Sequence, residues 1–248
     1  MADRVRLLDL DFADLDTVEA AARIAARPAD APFGYVVTPN ADHLVRLARQ
    51  PALRELYDGA ALRLLDSRVV RRAARGIGLP APRVVPGSDL TARLLMHHVL
   101  PGERVTIIGL RPRHVPALMA ACDIVMPAHY DPPMGFDRER DTMRRTVDFV
   151  LAHPARLVFL AVGSPRQERL AAEIAATGEA TGTGLCIGAS LDFLSGAQRR
   201  APGWLQRAGL EWLHRLGNDP ARLARRYLLD NPPVLAMLLR ERLATLRG

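Results

Sequence analysis

From residue 157 to 162, inside RLVFLAVG at 156–163, the chain runs without a polar break and then stops at a glycine. Such a run has no face suited to water, so it fits a strand covered on both sides. The helical segment PRQERLAAEIAATG follows it directly. The same alternation recurs along the chain. Shorter strand-like runs stand at VRLLDL (5–10), GYVVT (34–38), ALRLLD (61–66), RVTIIG (104–109), DIVMP (123–127) and GLCIGAS (184–190). Helical stretches separate them: 15–26 capped by Asp16, NADHLVRLARQ opened by Asn40, PALRELYDG opened by Pro51, SRVVRRAARG, 88–100 with a serine cap, RPRHVPALMAAC and 137–153. Strands and helices in alternation with short connections predict an α/β fold, a parallel sheet with helices on both faces. From about residue 199 the strand signal ends and only helix remains. The expected division is an α/β core at 1–198 and a helical, basic C-terminal appendage at 199–248.

At 248 residues and 49% hydrophobic, the chain can bury a sizeable core, filled by Ala, Leu and Val because aromatics are only 5%. All 34 basic residues are arginine and the formal net charge is +7. The distribution says more than the total: 24 Arg face 23 acidic residues in 1–198, whereas 10 face 4 in 199–248. A basic tail on a near-neutral core points to a polyanionic partner, either an anionic membrane surface, a phosphorylated ligand or nucleic acid. Nucleic acid is not expected, because base stacking needs interleaved aromatics and the tail offers only Trp204, Trp212 and Tyr227. Cys122 and Cys186 lie in apolar runs without CxxC spacing and read as buried thiols in a reducing compartment. The opening MADRVRLLDLDF is too acidic for a signal peptide, and no window reaches the roughly 18 apolar residues of a spanning helix. The expected location is cytoplasmic, free or bound to a surface.

In an open, Rossmann-like parallel sheet, ligands sit beyond the carboxyl ends of the strands. Those positions read Thr38-Pro39-Asn40, Leu65-Asp66-Ser67, Gly109, AVGSPRQE at 161–168 and GASLD at 188–192. Carboxylate, amide, hydroxyls and glycines thus crowd one edge. Asp66 is the candidate general base, an ionisable tip on a rigid strand. On local sequence alone, capping the next helix is the commoner use of such an aspartate. Gln167 and Glu168 open a helix after Gly163-Ser164-Pro165, where glycine lets a ligand approach and glutamine supplies both donor and acceptor. First-turn helix chemistry is the plainer reading of that pair. Thr38 and Asn40 read equally as a turn and a helix cap. GxxxxGK[ST] is absent, TGTGLCIG runs into a strand instead of following one, and no metal-ligand spacing surrounds His97-His98. Asp9-Leu10-Asp11 resembles the DxD metal motif of sugar-nucleotide transferases but comes too early in the chain, so it reads as a solvated strand end. In the tail, LEWLHRLGNDPARLARRY at 210–227 puts Arg222, Arg225 and Arg226 at i, i+3 and i+4, with Arg215 upstream. Guanidinium forks on one face suit a diphosphate or an anionic surface, although a solvated basic helix accounts for any single one.

Taken in order, TPNADHL, LLDSRVVRRAARGIGLPAPRVVPGSDL, RVTIIGL, PPMGF, VFLAVGSPRQE, CIGASLDFLSG, RRAPGWLQRAGLEWLHRL and NDPARLARRY resemble the blocks of the WecG/TagA/CpsF family, glycosyltransferase family 26. The resemblance implies an inverting, UDP-sugar-dependent hexosyltransferase. It would act on a polyprenyl-pyrophosphate-linked saccharide at the inner face of the cytoplasmic membrane, in surface-polysaccharide or cell-wall polymer synthesis. It implies Asp66 as the catalytic base, and Thr38, Asn40, Arg83 and Gln167 as pocket residues. Arg215, Arg222 and Arg225 would close over the donor diphosphate, and the tail would also touch the anionic membrane. No cofactor is implied beyond the donor, and no metal ion is expected to be required; a homo-oligomer stays open. Two departures stand out. Ser67 replaces the usual glycine after Asp66, which narrows the backbone approach, and Arg166 replaces the usual lysine, which keeps charge but not shape. The first leaves open a catalytically degenerate UDP-sugar-binding module or a basic membrane-binding module.

Overall fold

The computed structural model describes residues 4–125, 127–198, 201–203, 205 and 233–247. At the amino end, β1 (Arg4–Leu7) and β2 (Leu10–Ala13) pair as an antiparallel hairpin where a single strand over 5–10 was expected. The reason lies in two residues: Leu8 and Asp9 both take positive φ, 49° and 60°, the geometry of a two-residue turn that follows strand twist. Asp9 falls exposed in that turn and Asp11 half-buried in β2, both ion-paired to Arg6.

The main sheet follows. Its strands are β3 (Gly34–Val37), β4 (Leu62–Arg63), β5 (Thr106–Gly109), β6 (Ala128–Tyr130), β7 (Leu157–Ala161) and β8 (Thr183–Cys186). All pair in parallel, in the order β4-β3-β8-β7-β5-β6. The predicted α/β class is therefore what the chain adopts. Period-two alternation sorts the side chains into two cores. Tyr35, Val37, Val158, Leu160, Ile108 and Cys186 enter one, and Val36, Leu157, Phe159, Ile107 and Leu185 the other. The first core is covered by α2 (Ala41–Arg49), α3 (Arg54–Asp58), α4 (Arg68–Gly76), α7 (Arg140–Ala152) and α8 (Arg166–Ala176). The second is covered by α1 (Thr17–Ala25), α5 (Gly87–His97), α6 (Val115–Cys122) and the short α9 (Ser190–Leu194). Asp16 caps α1 in a capping box with Glu19, and both cysteines are free and buried.

Strand β6 begins at Ala128, beyond the expected 123–127. Asp123 ends α6 in the left-handed conformation, φ 53°, and Ile124 spends its side chain on the core beneath the sheet, so the ladder starts later. The C-terminal helix α10 (Pro233–Thr245) packs back onto the first core through Val234 and Leu238. Its Glu241 accepts the Leu8 N–H with both carboxylate oxygens, at 3.1 and 3.0 Å, and so staples the hairpin turn.

Candidate active site

The edge formed by the strand carboxyl ends is built around Asp66. Beyond β4 the backbone stays extended: Leu64 N–H donates to Val37 O at 3.0 Å and Asp66 N–H to Pro39 O at 2.9 Å. On the other side, Val85 N–H donates to Leu65 O at 2.8 Å. Asp66 is thus gripped by main chain on both flanks while its side chain remains half-buried. It does not cap α4. That cap is Ser67, whose hydroxyl accepts the Val70 N–H at 3.2 Å from an extended backbone, φ −155°. Asp66 Oδ2 instead accepts the N–H of Gly87, the first residue of α5, at 3.2 Å.

Gly87 shows what surrounds that carboxylate. A Cβ built on it would lie 3.0 Å from Thr38 Oγ1, 3.6 Å from Asp66 Oδ2 and 3.8 Å from Ser190 Oγ. Two hydroxyls and a carboxylate, from the ends of three strands, converge on one bare glycine. Both hydroxyls are held by the β8 end: Thr38 donates to Cys186 O at 3.4 Å and Ser190 to Ile187 O at 2.6 Å. Neither Gly87 nor Ser190 stood out in the sequence. The one available signal was the place of Ser190 in GASLD, among the strand-end positions; Gly87 had none.

Gln167 is buried and bridges two of these ends. Its Oε1 accepts the Gly188 N–H at 2.8 Å, and its Nε2 donates to Glu168 Oε1 at 2.9 Å. Burial raises the Glu168 carboxyl above the ordinary range, against the lowering effect of the hydrogen bond from Gln167, the nearby Ser164 hydroxyl and the Arg46 charge. Behind it, Arg46 donates to Ser164 Oγ at 3.1 Å and pairs with Asp42, and the Tyr57 hydroxyl lies 3.4 Å from the same Ser164 oxygen. Burial also pushes the Tyr35 phenol up to about 12, with Cys186 and Glu168 adding to the effect.

The other expected pocket residues are distributed differently. Asn40 caps α2, accepting from Asp42 and His43 N–H at 3.1 and 3.3 Å. Arg83 turns to the start of α1, with Nη2 2.6 Å from Glu19 Oε2, Nη1 3.4 Å from Asp16 Oδ2 and its backbone N–H on Asp14 Oδ1 at 2.6 Å. Thr38, Asp66 and Ser190 are brought together; the Arg83 guanidinium is committed to carboxylates. Arg215, Arg222 and Arg225 lie outside the described residues.

A second polar group occupies the ends of β5 and β6. His129 Nε2 faces two carbonyl oxygens, Gly109 at 3.0 Å and Leu110 at 2.8 Å, so that nitrogen carries the proton. Nearby, burial raises the Asp192 carboxyl, His114 and Arg111 act to lower it and Asp131 adds to the rise. Gly109 has no room for a side chain, since a Cβ would meet Ala161 O at 2.7 Å.

These features define an α/β protein whose strand-end edge carries a fixed carboxylate flanked by hydroxyls, a layout suited to proton abstraction from an alcohol. The sequence profile of the glycosyl transferase WecG/TagA/CpsF family matches residues 5–248, and the chain belongs to that family. It is a glycosyltransferase of cell-surface polymer synthesis.

Proposed function

We propose that the chain is an inverting transferase that moves a hexosyl group from a UDP-sugar to a polyprenyl-pyrophosphate-linked saccharide, with Asp66 as the base. The observation that carries this reading is the convergence of Asp66 Oδ2 with the Thr38 and Ser190 hydroxyls around the start of α5. Asp66 takes the proton of the acceptor hydroxyl as that oxygen attacks C1 of the donor sugar from the face opposite the leaving group. Charge then develops on the β-phosphate of UDP. Arg215, Arg222 and Arg225 of the tail neutralise it, guanidinium forks matching phosphate oxygens two at a time.

The tail also supplies the contact with an anionic membrane. Residues 199–248 hold 10 Arg against 4 acids. On α10, Leu235, Leu239 and Leu243 stand exposed at intervals of four residues, to one side of the docked Val234 and Leu238, with Leu246 exposed just beyond the helix. An apolar stripe flanked by arginines suits the boundary between headgroups and acyl chains. Among the described residues no helix is long and apolar enough to cross a membrane.

The test is Asp66→Asn, assayed as UDP released from a panel of UDP-sugars with a prenyl-pyrophosphate-linked saccharide. Turnover falls by about 10²–10⁴-fold, while UDP binding by calorimetry stays near wild type. Turnover within a few-fold of wild type removes Asp66 from the role of base.

A further inference from the structure

Glu168 has no task in this scheme, and its surroundings call for one. The residue is 1% exposed, and its Oε2 is buried without a hydrogen-bond partner. An apolar side chain of similar size would avoid that penalty. What an apolar residue could not do is accept a hydrogen bond from Gln167.

The two ends of a glutamine amide are nearly equal in size and differ only in being donor or acceptor. Here the oxygen must face the Gly188 N–H at 2.8 Å. Turned over, the amide would set its NH2 against that N–H, donor against donor. Glu168 Oε1, 2.9 Å from Gln167 Nε2, accepts only when the amide is the right way round. Gly188 opens the turn, closed by Ser190 N–H on Ile187 O, that places the Ser190 hydroxyl near Asp66.

We propose that Glu168 is a positioning residue for the transfer site: it selects the orientation of the Gln167 amide, and through Gln167 and Gly188 it holds the turn that carries Ser190. The proposal rests on reading the Asp66 edge as the reaction site. Around Glu168 the charged or titratable groups are Arg46, Tyr57, Tyr35 and Cys186, and Arg46 is already engaged by Asp42 and Ser164. Burial favours the neutral acid; with its proton on Oε2, Oε1 remains the acceptor for Gln167, and a glutamine at 168 with its carbonyl in that place offers the same acceptor.

Amide hydrogen exchange at Gly188, read by NMR on the full chain, reports the bond and needs no substrate. Glu168→Gln keeps Gly188 protection within about threefold of wild type, whereas Glu168→Asp and Glu168→Ala lower it by about tenfold or more, as Gln167→Ala does. The β8 amides keep their protection in all four. Adding Glu168→Asp to Gln167→Ala changes nothing further, because the two residues act in series. In turnover, Glu168→Asp lowers kcat with little change in donor KM, and Glu168→Gln restores it. Unchanged Gly188 exchange in Glu168→Asp, parallel loss across β8, additive effects, or failure of both Asp and Ala variants to fold each overturn the proposal. If Asp66→Asn proves active, the base assignment falls, and the exchange data still decide the role of Glu168.

Discussion

Replacing Gly87 by alanine separates the chemistry of the edge from the stability of the fold. Gly87 is the first residue of α5 and does not occupy the left-handed region, so an alanine fits its backbone. It restricts the unfolded chain and favours helix, together a gain of up to about 1 kcal/mol. The cost is local. The new methyl lies 3.0 Å from Thr38 Oγ1, some 0.4 Å inside the 3.4 Å of ordinary contact. The Thr38 hydroxyl is held to Cys186 O only at 3.4 Å, so it yields. These terms oppose each other, and Tm moves by no more than about 4 °C. The methyl also takes the space beside Asp66 Oδ2 and Ser190 Oγ, the path of the acceptor hydroxyl in the proposed mechanism. Displacement of reacting groups by up to 1 Å costs on the order of 10²-fold in rate. The expected outcome is a loss of turnover between about tenfold and 10²-fold, measured as UDP release, in a protein whose thermal melt is nearly unchanged. Activity within twofold of wild type would show that the converging oxygens are not where the acceptor binds. A large fall in Tm that tracks the lost activity would make Gly87 a packing residue and refute the reasoning.

Three further outcomes are expected. In the folded chain the Glu168 carboxyl titrates above the ordinary glutamate value of 4.5, so its contribution to stability is complete below that value and is lost as pH rises through the folded one. Glu168→Gln therefore gains stability relative to wild type as pH is raised from about 4.5, by urea titration at several pH values; a pH-independent difference refutes this. Arg222→Ala or Arg225→Ala lowers turnover far more than binding to anionic vesicles, because one charge near a membrane is worth about 1 kcal/mol; equal loss in flotation and turnover assays rejects the clamp. Ending the chain at residue 232 strips Val234 and Leu238 from the first core, a loss of about 3–6 kcal/mol, and an unchanged denaturation midpoint would show that α10 does not hold the core.

How much of this was legible depended on how local the cause was. The strong runs at GYVV and LVFLA became strands because their apolar character alone excludes a wet position, and the Asp16 and Asn40 caps followed from neighbours two or three residues away. The hairpin was hidden because its turn residues, Leu8 and Asp9, are not the glycine and asparagine that announce positive φ. Its support comes from Glu241, 233 residues further along the chain. Arg83 was named only through the family resemblance, as a pocket residue; nothing local marks it as the partner of three acidic residues around α1, which only the fold brings to it. Glu168 looked like ordinary helix-opening chemistry, because nothing local says that the first turn of α8 lies beneath the sheet edge.

On local sequence, capping the next helix was the commoner use for Asp66, and its role at the strand edge was left undecided. The backbone resolves it. Asp66 N–H continues the pairing with the β3 extension at Pro39 O, so the chain is still strand-like at 66 and the capping position falls on 67. A glycine at 67 would offer no side-chain acceptor to the α4 N-terminus, and the neighbouring carboxylate would be the nearest group able to serve it. Ser67 takes that duty through Val70 N–H, in an extended conformation that does not require glycine. The departure from the family's usual residue therefore leaves Asp66 directed at Gly87 and the site edge. It gives no physical ground for reading the chain as a catalytically degenerate member.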